Sequence, residues 1–212
     1  MMRRRAFLQG GFAAGAALSS PTVLADHVGS TQHFDVPESA VRAAAALPSA
    51  FRIGQRNGDV TMIEFFDYNC PWCKQAARDL DPLLKSEPRL RVLLVNYAVL
   101  GVSSVLAGKV AVAVASDYAE KYRDFHREMF ALRGTVGADE ALDVARKLGI
   151  DADDLIELAN SDVTTAALRA SATFGADLGL TATPSYLIAR RAYVGALTLP
   201  QKRAAIAAAR SI

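Results

Sequence analysis

Apolar and polar positions divide the chain beyond residue 50 into three blocks. Val60-Thr61-Met62-Ile63-Glu64-Phe65-Phe66 is a β-branched and aromatic run with a single acid inside it, which predicts a buried strand. Gly54 to Asp59, just before it, has turn composition, with Asn57-Gly58 as the strongest signal. After Asp67-Tyr68-Asn69 the spacing turns helical through Leu84. Pro71 suits the first turn of that helix, where the N–H it lacks would be unpaired in any case. A second strand is expected from Leu90 to Ala98, beyond Pro88. From Ser103 to about Leu178 the spacing is helical and rich in alanine, with breaks at Gly134, Gly149 and Ser161. Tyr118, Tyr122, Phe125 and Met129 share one face of that block and read as core. The tail returns to strands, Ser185–Ala189 and Ala192–Val194 about a turn at Arg190-Arg191, and closes on a helix from about Leu199 to Arg210. Residues 26–50 hold only sparse apolar positions (Phe34, Val36, Val41, Leu47) and read as a leader lying over the core.

This order of elements predicts an α/β protein with a thioredoxin fold at residues 51–100 and 180–212 and an inserted α-helical domain at 101–179. A doubly wound sheet is excluded because the middle block does not alternate with strands. Residues 1–25 break the pattern differently. Three arginines, a short apolar stretch to Leu18 and small residues ending at Val23-Leu24-Ala25 have the parts of a signal peptide, with the mature start near Asp26. Arg4-Arg5-Ala6-Phe7-Leu8 points to the twin-arginine route. The apolar stretch is shorter than the roughly 20 residues that a membrane span needs. Cleavage would take the formal charge from +2 to −1. Neither value makes a nucleic-acid footprint, and no Lys/Arg run occurs beyond the first five residues. The 14 glycines and 8 prolines are too few for a collagen-like or low-complexity chain. Asp151, Asp153 and Asp154 lack the following Gly and Glu of a calcium loop and read as helix-start acids.

Only two cysteines occur, Cys70 and Cys73, separated by Pro71 and Trp72. Export would place them in an oxidising compartment. Three uses are open. A structural disulfide would close so small a ring that it constrains the unfolded chain little. A metal site would need partners among His27, His33 and His126, none at paired spacing, although two thiolates alone can hold Cu(I). The third use is redox exchange. A cysteine at a helix start faces unpaired N–H groups, which favour its thiolate, and a second cysteine one turn deeper can resolve a mixed disulfide. His126 lies on an aromatic helical face, where a packed, satisfied histidine is the first reading and a base the second.

Glu64-Phe65-Phe66-Asp67-Tyr68-Asn69-Cys70-Pro71-Trp72-Cys73-Lys74, followed far along the chain by Thr181-Ala182-Thr183-Pro184-Ser185, resembles the DsbA-like family of secreted thiol–disulfide oxidoreductases. The likeness runs from about Gly54 to the C-terminus and takes in Tyr97 to Leu106 and Tyr122-x-x-Phe125-His126. The resemblance implies that Cys70 is the nucleophile and Cys73 the resolving thiol. It implies that Pro184 is a cis-proline beside the active site, preceded by Thr183, and that Glu64 is a buried acid moving protons to and from Cys73. The implied partners are reduced or unfolded exported proteins and a membrane thiol–disulfide partner that reoxidises the enzyme. No cofactor or metal is implied, and a monomer acting in the periplasm is expected. Two positions depart from the strongly oxidising members of the family, which carry His where this chain has Trp72 and Val where it has Thr183. Thr before the cis-proline is similar to the isomerase and reductase branches, yet residues 26–50 are too few to form the dimerisation domain those branches use. The reading is therefore a disulfide oxidase, with an isomerase or reductase kept reduced by a membrane electron donor as the alternative and a Cu(I)-binding module as the rival of another class.

Overall fold

The computed structural model describes residues 31–211, so the signal-peptide reading of residues 1–25 lies outside the described residues. In chain order the elements are β1 (Gln32–Asp35), α1 (Glu38–Ala45), β2 (Ala50–Gly54), β3 (Val60–Phe66), α2 (Pro71–Ser86) and β4 (Leu90–Asn96). Five helices follow: α3 (Val102–Asp117), α4 (Tyr122–Ala131), α5 (Ala138–Lys147), α6 (Ala152–Asn160) and α7 (Asp162–Asp177). The chain ends with β5 (Ser185–Ile188), β6 (Arg191–Val194) and α8 (Leu199–Arg210).

The strands form one sheet in the order β1-β6-β5-β3-β4-β2. Among the described strands only β3 and β4 run parallel, and α2 is the crossover that a parallel pair requires. β5 lies antiparallel on the other side of β3, with Glu64 opposite Tyr186. The core of an α/β thioredoxin-like fold is thus β3 flanked by β4 and β5. Along β3 alternate side chains enter different cores. Met62 and Phe66 pack with α2, α8 and most of the helical layer, while Ile63 and Phe65 pack with Val36, Ala44 and Tyr97 on the opposite side. That alternation puts Glu64 on the α2 face. From Ala107 to Val114 α3 is buried at every position but Lys109, which is why that stretch is apolar on nearly every side. No single helix among the described residues is long and apolar enough to cross a membrane.

Although Val36, Val41 and Leu47 pack against the core, residues 26–50 hold regular structure that the leader reading did not assign. Their described part forms β1, α1 and the first residue of β2, with β1 on β6 and β2 on β4 at the two sheet edges. The reason is physical: all four β1 side chains are exposed, so no alternation marks the strand. The helical block also breaks at Tyr118, beyond the three expected breaks, and β4 stops at Asn96, two residues before the expected Ala98.

Candidate active site: two thiols at the start of α2

The turn from β3 into α2 is held by Asp67, which is fully buried. Its Oδ1 accepts from the Asn69 amide at 2.8 Å and the Ser104 hydroxyl at 2.7 Å; its Oδ2 accepts from the Val99 and Leu100 amides at 2.9 and 3.0 Å. Asn69 continues the brace, receiving the Val136 amide at 2.7 Å and donating to the Val136 carbonyl at 2.9 Å and to Ser104 Oγ at 3.0 Å. Two loops and the start of α3 are thereby fixed around the residue before Cys70. Asp67, Asn69 and Ser104 were not legible as site residues in the sequence. The first two lie within the Glu64–Lys74 stretch, but a loop acid and amide carry no periodic signal.

Cys70 is the N-cap of α2, with Pro71 in its first turn. The thiol of Cys70 donates to the Thr183 carbonyl at 3.0 Å. Its pKa is lowered to about 6, chiefly by the hydrogen bond from the Cys73 thiol and against the effect of burial. Thr183 and the N–H groups of Cys73 and Trp72 add to the lowering. The Thr183 hydroxyl is buried and has no hydrogen-bond partner among the described residues. Cys73 is fully buried; burial and then the neighbouring Cys70 push its thiol far above the ordinary range. One thiol is therefore poised to ionise and the other to hold its proton.

The Thr183–Pro184 bond is cis and leads directly into β5, where the Gly195 amide donates to the Pro184 carbonyl at 3.1 Å. Thr183 thus reaches Cys70 across 113 positions of sequence. Trp72, in the first turn of α2, is 64% exposed. Leu100 and Val102 are also exposed and share a surface cleft with Asn69.

Glu64 lies beneath the pair, buried, with its carboxyl pushed up to about 7 by loss of solvent; Lys202 opposes that shift, while Asp79 and Cys70 add to it. The charge of Glu64 in turn helps to raise Cys73. Lys202, on α8, is itself buried, 3.0 Å from Asp79 of α2 and 5.5 Å above the ring of Tyr186, the cross-strand neighbour of Glu64. Neither Lys202 nor Asp79 was legible as a site residue. His126 sits among aromatic rings, edge-on to Phe66 at 4.8 Å and Phe130 at 5.0 Å, with Nδ1 3.2 Å from the Tyr68 hydroxyl. Burial lowers its pKa to about 3, so it stays neutral and packs. No group of three or more His, Cys, Asp or Glu side chains among the described residues could hold a metal ion.

The fold has relatives. Residues 61–207 match the model of the DSBA-like thioredoxin domain. A thioredoxin-like oxidoreductase from Silicibacter pomeroyi DSS-3 superposes with a TM-score of 0.75 at 29% identity, covering 80% of this chain and 97% of that one. The thiol–disulfide exchange protein alpha-DsbA2 from Wolbachia pipientis gives 0.73 at 28% identity, over 81% and 92% of the two chains. BdbD from Bacillus subtilis shares the fold at 19% identity, with a TM-score of 0.71 over 79% and 96%. A Na(+)/H(+) antiporter NhaA 1 from Salinispora arenicola is 26% identical over 157 residues; the match takes in 74% of this chain and only 24% of that protein's length. With more than half its length matched by the family model, the chain belongs to the DSBA-like thioredoxin domain family.

Proposed function

We propose that this protein is an exported thiol–disulfide oxidoreductase that forms disulfides in other exported proteins. The observation that carries the reading is the asymmetry of the thiols: Cys70 caps the start of α2 with its pKa lowered to about 6, chiefly by the Cys73 thiol, beside a fully buried Cys73 held protonated. In the oxidised enzyme a substrate thiolate attacks Cys70 Sγ. The Cys70–Cys73 bond breaks as a substrate–Cys70 disulfide forms, and Cys73 leaves with the electron pair. Glu64, with a carboxyl near 7, hands Cys73 its proton. A second substrate thiolate then attacks the substrate's own sulfur in the mixed disulfide and releases Cys70 as a stabilised thiolate. The substrate is oxidised by two electrons, and the enzyme dithiol passes them to a membrane thiol–disulfide partner. The Thr183 carbonyl borders the attacked sulfur, and Trp72, Leu100 and Val102 offer apolar surface to an unfolded substrate chain.

Cys73→Ala should trap proteins on Cys70 as mixed disulfides, visible on non-reducing gels of an oxidising periplasmic extract. A variant that stays adduct-free would sink the mechanism. Thr183 supports a second reading, a reductase or isomerase, because Thr in place of Val before the cis-proline is similar to those branches of the family. The redox state of the pair in cells separates the two: mostly disulfide for the oxidase, mostly dithiol for the reductase or isomerase.

A further inference from the structure

A second opening, unrelated to the thiol chemistry, lies between α2 and α4. It is a cavity of about 550 Å³, within the size range of small-molecule sites. Its floor is apolar: Ile53, Leu80, Leu94 and Phe130 are all buried and line it. His126 completes the wall as a neutral ring. The mouth is different. Lys74, Arg78, Arg123, Arg127 and Arg133 stand around it against a single acid, Asp81.

Most of these cations are engaged. Arg123 holds Asp81 at 2.6 Å, Arg127 holds Asp124 at 2.8 Å, and Lys74 donates to the Leu132 carbonyl at 2.5 Å. Arg78, on α2, and Arg133, just beyond α4, make no ion pair or side-chain hydrogen bond among the described residues. They approach from two different elements. An apolar body with no charge would leave this electropositive mouth unanswered, and a fully polar anion would lie on four buried hydrocarbon side chains. We propose that the cavity binds a small amphipathic anion, an apolar chain or ring carrying one acidic head, with the head between Arg78 and Arg133 and the body over Ile53, Leu80, Leu94 and Phe130. Guanidinium groups are suited to such heads because their planar N–H fork meets a carboxylate, sulfonate or phosphate with two hydrogen bonds.

The site rests on neither Cys70 nor Cys73, so it is tested apart from the redox reading. The full chain is titrated with anilinonaphthalene sulfonate, whose emission rises on leaving water, and the bound probe is challenged with decanoate and with decanol. We expect one saturable site per chain, displaced by decanoate and far less by the uncharged alcohol. Arg78→Ala and Arg133→Ala remove exposed side chains and should each weaken binding by about tenfold, the loss of one charge-assisted contact. Ala77→Trp, which fills the cavity, should abolish binding, while Arg169→Ala on α7 should leave it unchanged. Insulin-reduction activity should persist in all four variants. Binding to phosphatidylglycerol vesicles alone, with the same dependence on Arg78, would assign the head and chain to an anionic lipid in place of a free acylate. Equal displacement by decanol, indifference to both arginines, or the absence of a saturable site would each overturn the proposal.

Discussion

Cys70 is placed where the folded chain opposes its protonation from several sides: the Cys73 thiol, the Thr183 side chain and the first N–H groups of α2. Titrating thiolate absorbance in the reduced protein should give a midpoint near 6. Thr183→Val should move that midpoint upward, and an unmoved midpoint would remove the hydroxyl from this account. The sign of the linked stability follows. A thiol lowered in the folded state and ordinary in the unfolded one adds stability as pH rises from about 6 towards the free-thiol value of about 8.5. That stability is fully present above the latter and is lost as pH falls through the former. Urea unfolding of the reduced protein at both ends of this window, set against Cys70→Ser, measures it. Asp67 works by counting partners. Removing its carboxylate strips four donors of their acceptor, so Asp67→Ala should cost about 3 kcal/mol in urea unfolding, since each buried orphan donor costs roughly 1–3 kcal/mol. A loss well under 1 kcal/mol would mean that water replaces the carboxylate.

At the level of elements, β3 carries Glu64 under α2 while α8 brings a lysine to the same face. The Lys202–Asp79 pair joins α8 to α2 and is buried on the lysine side. Breaking a buried pair by removing one partner costs about 3–5 kcal/mol, whereas replacing both with apolar groups is often neutral. Lys202→Met should therefore destabilise strongly and Lys202→Met with Asp79→Leu should recover most of the loss. If the double variant is as weak as the single one, the pair is not the cause. Glu64 is the reverse case to Cys70. Its carboxyl is raised from 4.5 to about 7, so the folded state is penalised progressively as pH climbs between those values and fully above them. Glu64→Gln should leave stability unchanged at pH 4 and raise it at pH 8 by an amount of the order of 3 kcal/mol. The elements that were legible in the sequence share one trait, a local pattern: the apolar run of β3, the helix after Cys70, and the Thr-Pro that opens β5. What was missed depends on distance. β1 shows no alternation because it is an exposed edge, α1 has no side-chain cap to announce it, and Lys202 and Asp79 are 123 positions apart. No window along the chain contains both halves of that pair.

On the scale of the whole molecule, the sheet, α2 and the helical layer meet at the thiols, so the redox state of Cys70 is coupled to the stability of the entire fold. The link is a thermodynamic cycle. In the unfolded chain the two cysteines are separated by two residues, and their disulfide constrains little, so the unfolded redox equilibrium is close to that of free thiols. In the folded chain the dithiol state gains the stabilised thiolate of Cys70 and the disulfide state does not. Any excess stability of the reduced protein over the oxidised one is, by closure of the cycle, the drive to give the disulfide away; about 1.4 kcal/mol corresponds to roughly 30 mV. The reduced form should accordingly melt at the higher temperature at pH 8, with the gap shrinking as pH falls through about 6 and the thiolate is lost. Calorimetry of the two forms across that range is the measurement. A higher melting temperature for the oxidised form would reverse the sign: the fold would then hold its disulfide rather than donate it, and oxidation of substrates would lack a thermodynamic source in this chain.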